Sequence, residues 1–172
     1  MLDINIIDDC LHMKNINKDS IKNIYLIYKN SFDFKYATGV FNSIEYNQFS
    51  QQISQFITRK NVFFLDIYSV STGDIIGFVK GLVVNKDKIV WINSLIINKQ
   101  YQKKGYGKRV MELLEDYLKQ NCNIEKSYLS VYKTNVAGIK FWYKCGYSNC
   151  EYLSELTSRK SNNSIQFMWK IL

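Results

Sequence analysis

One stretch of the chain concentrates residues able to do chemistry: Leu-Ile-Ile-Asn-Lys-Gln-Tyr-Gln-Lys-Lys-Gly-Tyr-Gly-Lys-Arg-Val-Met-Glu-Leu-Leu, residues 95–114. Gly105 and Gly107 open backbone conformations that other residues avoid. A strand is expected to deliver the chain to this turn, and a helix to leave it. The amide N–H groups of the turn and the unpaired N–H groups of the helix's first turn then converge on one point, which is an anion site. Each favourable charge at such a helix start is worth about 0.3–1 kcal/mol. Lys103, Lys104 and Lys108 surround the same point, within a wider basic group that includes Lys99 and Arg109. Spacing narrows the ligand. A dinucleotide fingerprint needs a third glycine where Val110 stands, and a P-loop needs Gly at Gln102 and Ser or Thr at Arg109. What remains is Gln102-x-x-Gly105-x-Gly107, a phosphate cradle of another kind.

The elements that must position this turn can be read from periodicity. Residues 62–70 and 75–84 read as hairpin strands about the turn Ser71-Thr72-Gly73-Asp74, and a turn near Asn85 leads to a third strand, 89–97. After the glycine turn, Val110, Leu113, Leu114, Tyr117 and Leu118 follow the spacing of an amphipathic helix. Residues 128–132 give a strand, 136–145 a helix with Gly146 placed to end it, and 147–153 and 164–172 two closing strands joined by the polar loop 154–163. Upstream, residues 10–15 read as a short strand. Asn17 can cap a helix reaching about residue 30, with Ile21, Ile24, Tyr25 and Tyr28 on one face. Residues 43–58 give a second helix on Phe49, Ile53, Phe56 and Ile57. The connection between them, 31–42, carries Phe32, Phe34, Tyr36 and Phe41. No repeat, linker or proline interrupts the chain, so residues 1–172 are expected to form one mixed α/β domain.

Composition limits the function classes. A hydrophobic fraction of 47% with 22% charged residues is that of an ordinary globular protein. No apolar run reaches the length of about eighteen residues that a membrane span needs, and the acidic opening lacks the features of a signal peptide. Cys10, Cys122, Cys145 and Cys150 show no zinc or disulfide spacing, so free thiols, a cytoplasmic setting and no metal are expected. With His12 the sole histidine, a thiol–imidazole pair has little to draw on. The net charge of +8 calls for an anionic partner. A basic nucleic-acid-binding domain would account for that charge but not for the motifs.

A second motif follows the first: Asn135-Val-Ala-Gly138-Ile139-Lys-Phe141-Trp142-Tyr143-Lys-Cys-Gly146-Tyr147. Together with Gln102-x-x-Gly105-x-Gly107, it resembles the GNAT superfamily of N-acetyltransferases, most closely over residues 75–147. In that family the first motif seats the pyrophosphate of coenzyme A. The second is an Asn followed by a short helix ending in Tyr-x-x-x-Gly-Phe. The resemblance implies a central, mostly antiparallel sheet of six to seven strands with one parallel splayed pair, and helices on both faces. It implies an acetyl-CoA-dependent N-acetyltransferase whose partner is a primary amine of a small molecule or peptide, working as a monomer or homodimer without a membrane. Cofactor contacts carry over to Gln102, Lys103, Lys104, Gly105, Tyr106, Gly107, Lys108, Asn135 and Trp142. The main chain of Leu95, Ile96 and Ile97 is expected to pair with the pantetheine arm.

The catalytic residues are marked less clearly. Acetyl transfer needs a neutral amine, a polarised thioester carbonyl and a proton for the departing thiolate. The third strand offers Asn93 and Ser94 as aids to a water chain, and the backbone N–H of Ile96 or Ile97 for the carbonyl. The family's tyrosine donor falls on Trp142, whose indole cannot protonate a thiolate at neutral pH. Tyr143 is the adjacent phenol, turned by about 100° along the helix. Three arrangements stay open: Tyr143 reaches the sulfur, the thiolate takes its proton elsewhere, or the chain binds coenzyme A without turnover. Glu45, Asp66 and Glu151 are isolated carboxylates that an acceptor amine could meet.

Overall fold

The computed structural model describes residues 1–29, 44–153 and 164–172. In chain order these form β1 (Asn5–Ile7), β2 (Leu11–Asn15), α1 (Ser20–Lys29), α2 (Tyr46–Ile57), β3 (Val62–Ser69), β4 (Ile75–Val84), β5 (Ile89–Ile97), α3 (Tyr106–Cys122), β6 (Lys126–Tyr132), α4 (Val136–Lys144), β7 (Ser148–Asn149) and β8 (Ile165–Ile171). The strands make one eight-stranded sheet, ordered β1-β2-β3-β4-β5-β6-β8-β7. Every neighbouring pair is antiparallel except β5–β6, which is parallel.

This is the expected mixed architecture, with local differences. The opening residues add β1, a strand too short and too flanked by aspartates to show in a period-two pattern. The expected strand 147–153 is cut to β7, pairing Ser148 with Trp169 and Asn149 with Met168, because residues 151–153 turn helical. The aromatic connection 31–42 and the loop 154–163 lie outside the described residues.

Alternation along the strands divides the core in two. Leu11, Met13, Phe63, Leu65, Ile67, Val79, Val83, Val90, Leu129 and Met168 face α3, where Val110, Met111, Leu114 and Leu118 are buried against them. Full burial of each such side chain contributes roughly 1.5–3 kcal/mol. On the opposite face Phe64, Phe78 and Ile96 pack against Ile21, Ile24 and Tyr25 of α1 and Phe49 and Ile53 of α2. Asn17 starts α1 as its type predicts: its Oδ1 accepts from the N–H groups of Asp19 and Ser20, each at 2.9 Å. Across β5, β6 and β8 the registered residues Trp91, Tyr128 and Trp169 stack in a row, with centroid spacings of 6.1 and 6.3 Å.

Asp66 breaks the pattern. It sits on the α1–α2 face of β3, fully buried, and neither carboxylate oxygen has a hydrogen-bond partner among the described residues. Burial pushes its pKa up to about 6, and the neighbouring Ser20 and Lys14 only partly oppose that. The folded protein therefore binds this proton more tightly than the unfolded chain. Stability is greatest when Asp66 is protonated and falls as pH rises from about 4 through 6, by about 3 kcal/mol in all. Asp66→Asn, which keeps the shape without the charge, should raise the melting temperature at pH 7 and leave it nearly unchanged at pH 4. Denaturation of both proteins across that range checks this; equal pH dependence would show that Asp66 carries no buried charge.

Candidate functional site

The site begins as a defect in the sheet. Lys80 pairs with Ser94 but Gly81 pairs with Ile92, so Asn93 is an extra residue bulged out of β5. The bulge reverses the alternation: Ile92 faces the α3 side, whereas Ser94 and Ile96 face the α1–α2 side. At the same place β5 leaves β6. Their parallel pairing runs from Ile89–Lys126 to Ile92–Leu129 and stops there. Meanwhile β6 continues on its other side, with Ser130, Val131 and Tyr132 still paired to β8. A gap opens between two strands in the middle of a sheet.

The backbone groups bordering that gap can be assigned. Asn98 N–H donates to Ile76 O at 2.7 Å, which makes Ile97–Gly77 a non-hydrogen-bonded pair of the β4–β5 ladder. By alternation, Ile96 exchanges its bonds with Phe78, while Leu95 and Ile97 turn their N–H and C=O groups away from β4 and into the gap. Of Leu95, Ile96 and Ile97, the first and third thus have main-chain groups facing the gap. Part of that edge is already taken, because Gln102 Nε2 donates to Ile97 O at 2.8 Å.

Gln102 thereby fastens the glycine turn to the strand end. A second tie is Tyr101, whose hydroxyl donates to Asp74 Oδ2 at 2.9 Å in the β3–β4 hairpin. Gly105 stands at the start of α3 with φ of +88°, a left-handed conformation that favours glycine. Intrahelical pairing begins with Arg109 N–H to Gly105 O at 3.1 Å, so the amides of Tyr106, Gly107 and Lys108 point out of the helix start. At Gly107 a Cβ would meet the Phe141 ring at 3.1 Å, so the glycine lets α3 and α4 approach closely. The basic residues around the turn differ in what they face. Arg109 is engaged by Asp8 at 2.7 Å, and Lys108 lies 3.4 Å from Glu112. Lys103 and Lys104 have no carboxylate partner among the described residues, and Lys104 lies over the Tyr101 ring.

The second motif borders the same region. Asn135 caps α4, its Oδ1 accepting from Gly138 N–H at 2.9 Å, which leaves Nδ2 able to donate elsewhere. Trp142 packs edge-on against Phe141 and Tyr147, at 4.9 and 5.2 Å between centroids. Tyr143 is exposed, and its hydroxyl donates to Asn149 Oδ1 at 2.7 Å. Asn93 is exposed on the bulge and Ser94 buried beside Lys80. Glu45 and Glu151 are exposed.

The two motifs are joined by a buried network that their spacing does not reveal. Glu115 of α3 accepts from the Tyr147 hydroxyl at 2.7 Å and from Lys170, and the same hydroxyl meets Ser127 Oγ at 2.6 Å. Burial raises the pKa of Glu115 against the lowering effect of Lys170 and Tyr147, and burial raises that of Tyr147 as well. The signal in the sequence is Tyr147 itself, a phenol where the family pattern has Phe.

Comparison with known proteins agrees with this geometry. A family model described as "Acetyltransferase (GNAT) family" matches residues 21–147, and the chain belongs to that family. Over 81 residues it is 32% identical to a probable spermine N(1)-acetyltransferase of Bacillus subtilis subsp. natto and 31% identical to a spermine/spermidine N(1)-acetyltransferase of Bacillus subtilis strain 168. Each match covers 44% of this chain and 53% of the relative, so the matched part spans about half the length of these curated relatives. Among solved structures, a spermidine N-acetyltransferase from Vibrio cholerae, described in complex with CoA and spermine, superposes with a TM-score of 0.76 at 14% identity, over 95% of this chain and 96% of that one. A GCN5-related N-acetyltransferase from Brucella melitensis gives 0.78 at 7% identity, over 99% of this chain and 80% of that one. At these identities the structures show a shared fold.

Tyr147→Phe removes a donor from buried Glu115, and an unmade buried bond of this kind costs about 1–3 kcal/mol. Chemical denaturation should show that loss, with the unfolding midpoint lowered. An unchanged midpoint would mean that Lys170 alone satisfies the carboxylate.

Proposed function

We propose that the protein is an acetyl-CoA-dependent N-acetyltransferase acting on a primary amine. The observation that carries this reading is the gap between β5 and β6, which opens beside the glycine turn at the start of α3. The free amides of residues 106–108, with Lys103 and Lys104, suit the pyrophosphate. The inward groups of Leu95 and Ile97 suit the amides of the pantetheine, which would lie along β5 as an added strand. The residues present fit the cosubstrate, whose thioester supplies the activated acetyl group.

The reaction balances without a metal or redox partner. The ammonium of the acceptor loses one proton to become nucleophilic, and its nitrogen bonds to the thioester carbon. The C–S bond then breaks, the second nitrogen proton is lost, and the thiolate is protonated. The N–H of Leu95 faces the gap next to the bulge and is suited to polarise the carbonyl, whereas that of Ile96 is engaged by β4 and that of Ile97 lies farther along β5, toward the glycine turn. In this reading Asn93 and Ser94, at the bulge, order water for proton removal. Tyr143 is a poor choice of acid, because its hydroxyl is held by Asn149 on the outside of α4. In this reading the thiolate takes its proton from solvent, and Trp142 packs the site. That arrangement also keeps alive a second reading, coenzyme A binding without turnover.

Thiol release from acetyl-CoA across a panel of amines separates the two: release with at least one amine is expected, and binding without release would favour the second. Coenzyme A should raise the melting temperature, since it binds the folded state. Gly107→Glu brings a negative charge to the helix start and crowds the Phe141 ring there, and should abolish the shift in a protein whose circular dichroism is unchanged; an undiminished shift would remove the cradle. Tyr143→Phe should keep kcat within about twofold, against the 10²–10⁴-fold that a lost general acid typically costs. A fall of that size would make Tyr143 the donor.

A further inference from the structure

On the α1–α2 face of the sheet lies a cavity of about 220 Å³, walled by Tyr28, Phe49, Phe56, Phe64 and Phe78. Lys80 of β4 rises into it, its Nζ 5.6 Å from the Phe56 ring centroid and 5.9 Å from that of Phe64. Lys80 is the direct cross-strand partner of Ser94, so the two share a face immediately beyond the bulge where β5 leaves β6. The cavity thus adjoins the place where an acyl group would be presented.

Its lining selects an occupant. Among the described residues no carboxylate lines the cavity or pairs with Lys80. Burial lowers the pKa of the Lys80 ammonium, a sign of a cation held out of water without an anion beside it. A carboxylate would offset that cost with a charge-assisted hydrogen bond. A polyamine would set a second cation against Lys80, with aromatic faces to compensate it among the described residues. The volume lies below the roughly 300 Å³ at which pockets for drug-sized ligands begin. A small molecule with an apolar or aromatic body fits.

We propose that this cavity is the acceptor pocket and that it takes a small amino-carboxylate with an apolar or aromatic body, its carboxylate on Lys80 and its amine toward Ser94. The proposal rests on the acetyltransferase reading above, and it sets this chain apart from relatives described as acting on spermine and spermidine.

The test titrates the protein–coenzyme A complex calorimetrically with phenylalanine, phenylalaninamide and spermidine, and measures thiol release from acetyl-CoA with each. Phenylalanine should bind at least about tenfold more tightly than its amide, as one charged hydrogen bond would give. Lys80→Met should erase that preference, Lys80→Arg should keep much of it, and both should retain the coenzyme A melting shift. Carboxylate binding that depends on Lys80 but yields no thiol release would support the pocket while the acetyltransferase reading fails. Tighter binding of spermidine, or equal binding of phenylalanine and its amide in the unaltered protein, would overturn the pocket, even where spermidine releases thiol and the acetyltransferase reading stands.

Discussion

A hydrogen-bonded sheet does not readily leave main-chain groups unpaired in its middle, since a buried N–H or C=O without a partner costs as much as a lost hydrogen bond. Here one extra residue, Asn93, forces that situation. It parts β5 from β6, reverses the alternation along the end of β5, and turns the polar edges of Leu95 and Ile97 into the gap. One carbonyl on that edge is satisfied internally by Gln102. The remaining groups need water or a ligand that carries amides of its own.

The rest of the molecule holds that defect open. The α3 stripe of Val110, Met111, Leu114 and Leu118 anchors the helix on one face, so its start stays at the end of β5. The Tyr101–Asp74 bond ties the glycine turn to the β3–β4 hairpin, and Glu115, Tyr147, Ser127 and Lys170 lock α3 to the end of the second motif and to β6 and β8. The core on the α3 face spans the gap, taking in Val90 and Ile92 of β5 together with Leu129 and Val131 of β6. Charge is divided between the two faces, with exposed Lys103 and Lys104 near the helix start and Lys80, which has no carboxylate partner among the described residues, beneath the aromatic cavity on the other face.

Much of this was legible in the sequence where local signals are strong. β4 and β5 fall on the expected residues because turn residues bracket uninterrupted apolar runs, and α3 falls on its periodic stripe. The glycine turn was readable because glycine is favoured at the positive φ of Gly105 and where α3 approaches Phe141 at Gly107. The bulge was not, since nothing in Trp-Ile-Asn-Ser-Leu-Ile marks which residue is extra. Missing it left Ile96 grouped with Leu95 and Ile97, although its bonds go to β4. Asp66 stood only as an isolated carboxylate that an acceptor amine could meet, because alternation puts it on the face opposite Leu65 and only the placement of α1 and α2 reveals that this face is covered as well. Lys80 did carry a signal: a lysine inside Ile-Ile-Gly-Phe-Val-Lys-Gly-Leu-Val-Val is out of place on any buried strand.

The central claim is that the unpaired edge of β5 is where coenzyme A lies, and amide hydrogen exchange reads that edge residue by residue. With coenzyme A added in excess, the N–H groups of Leu95 and Ile97 should gain protection. That of Ile96, already bonded to Phe78, should be protected with or without the ligand. Slower exchange confined to the glycine turn, with Leu95 and Ile97 unchanged, would contradict the account and leave the gap without its occupant.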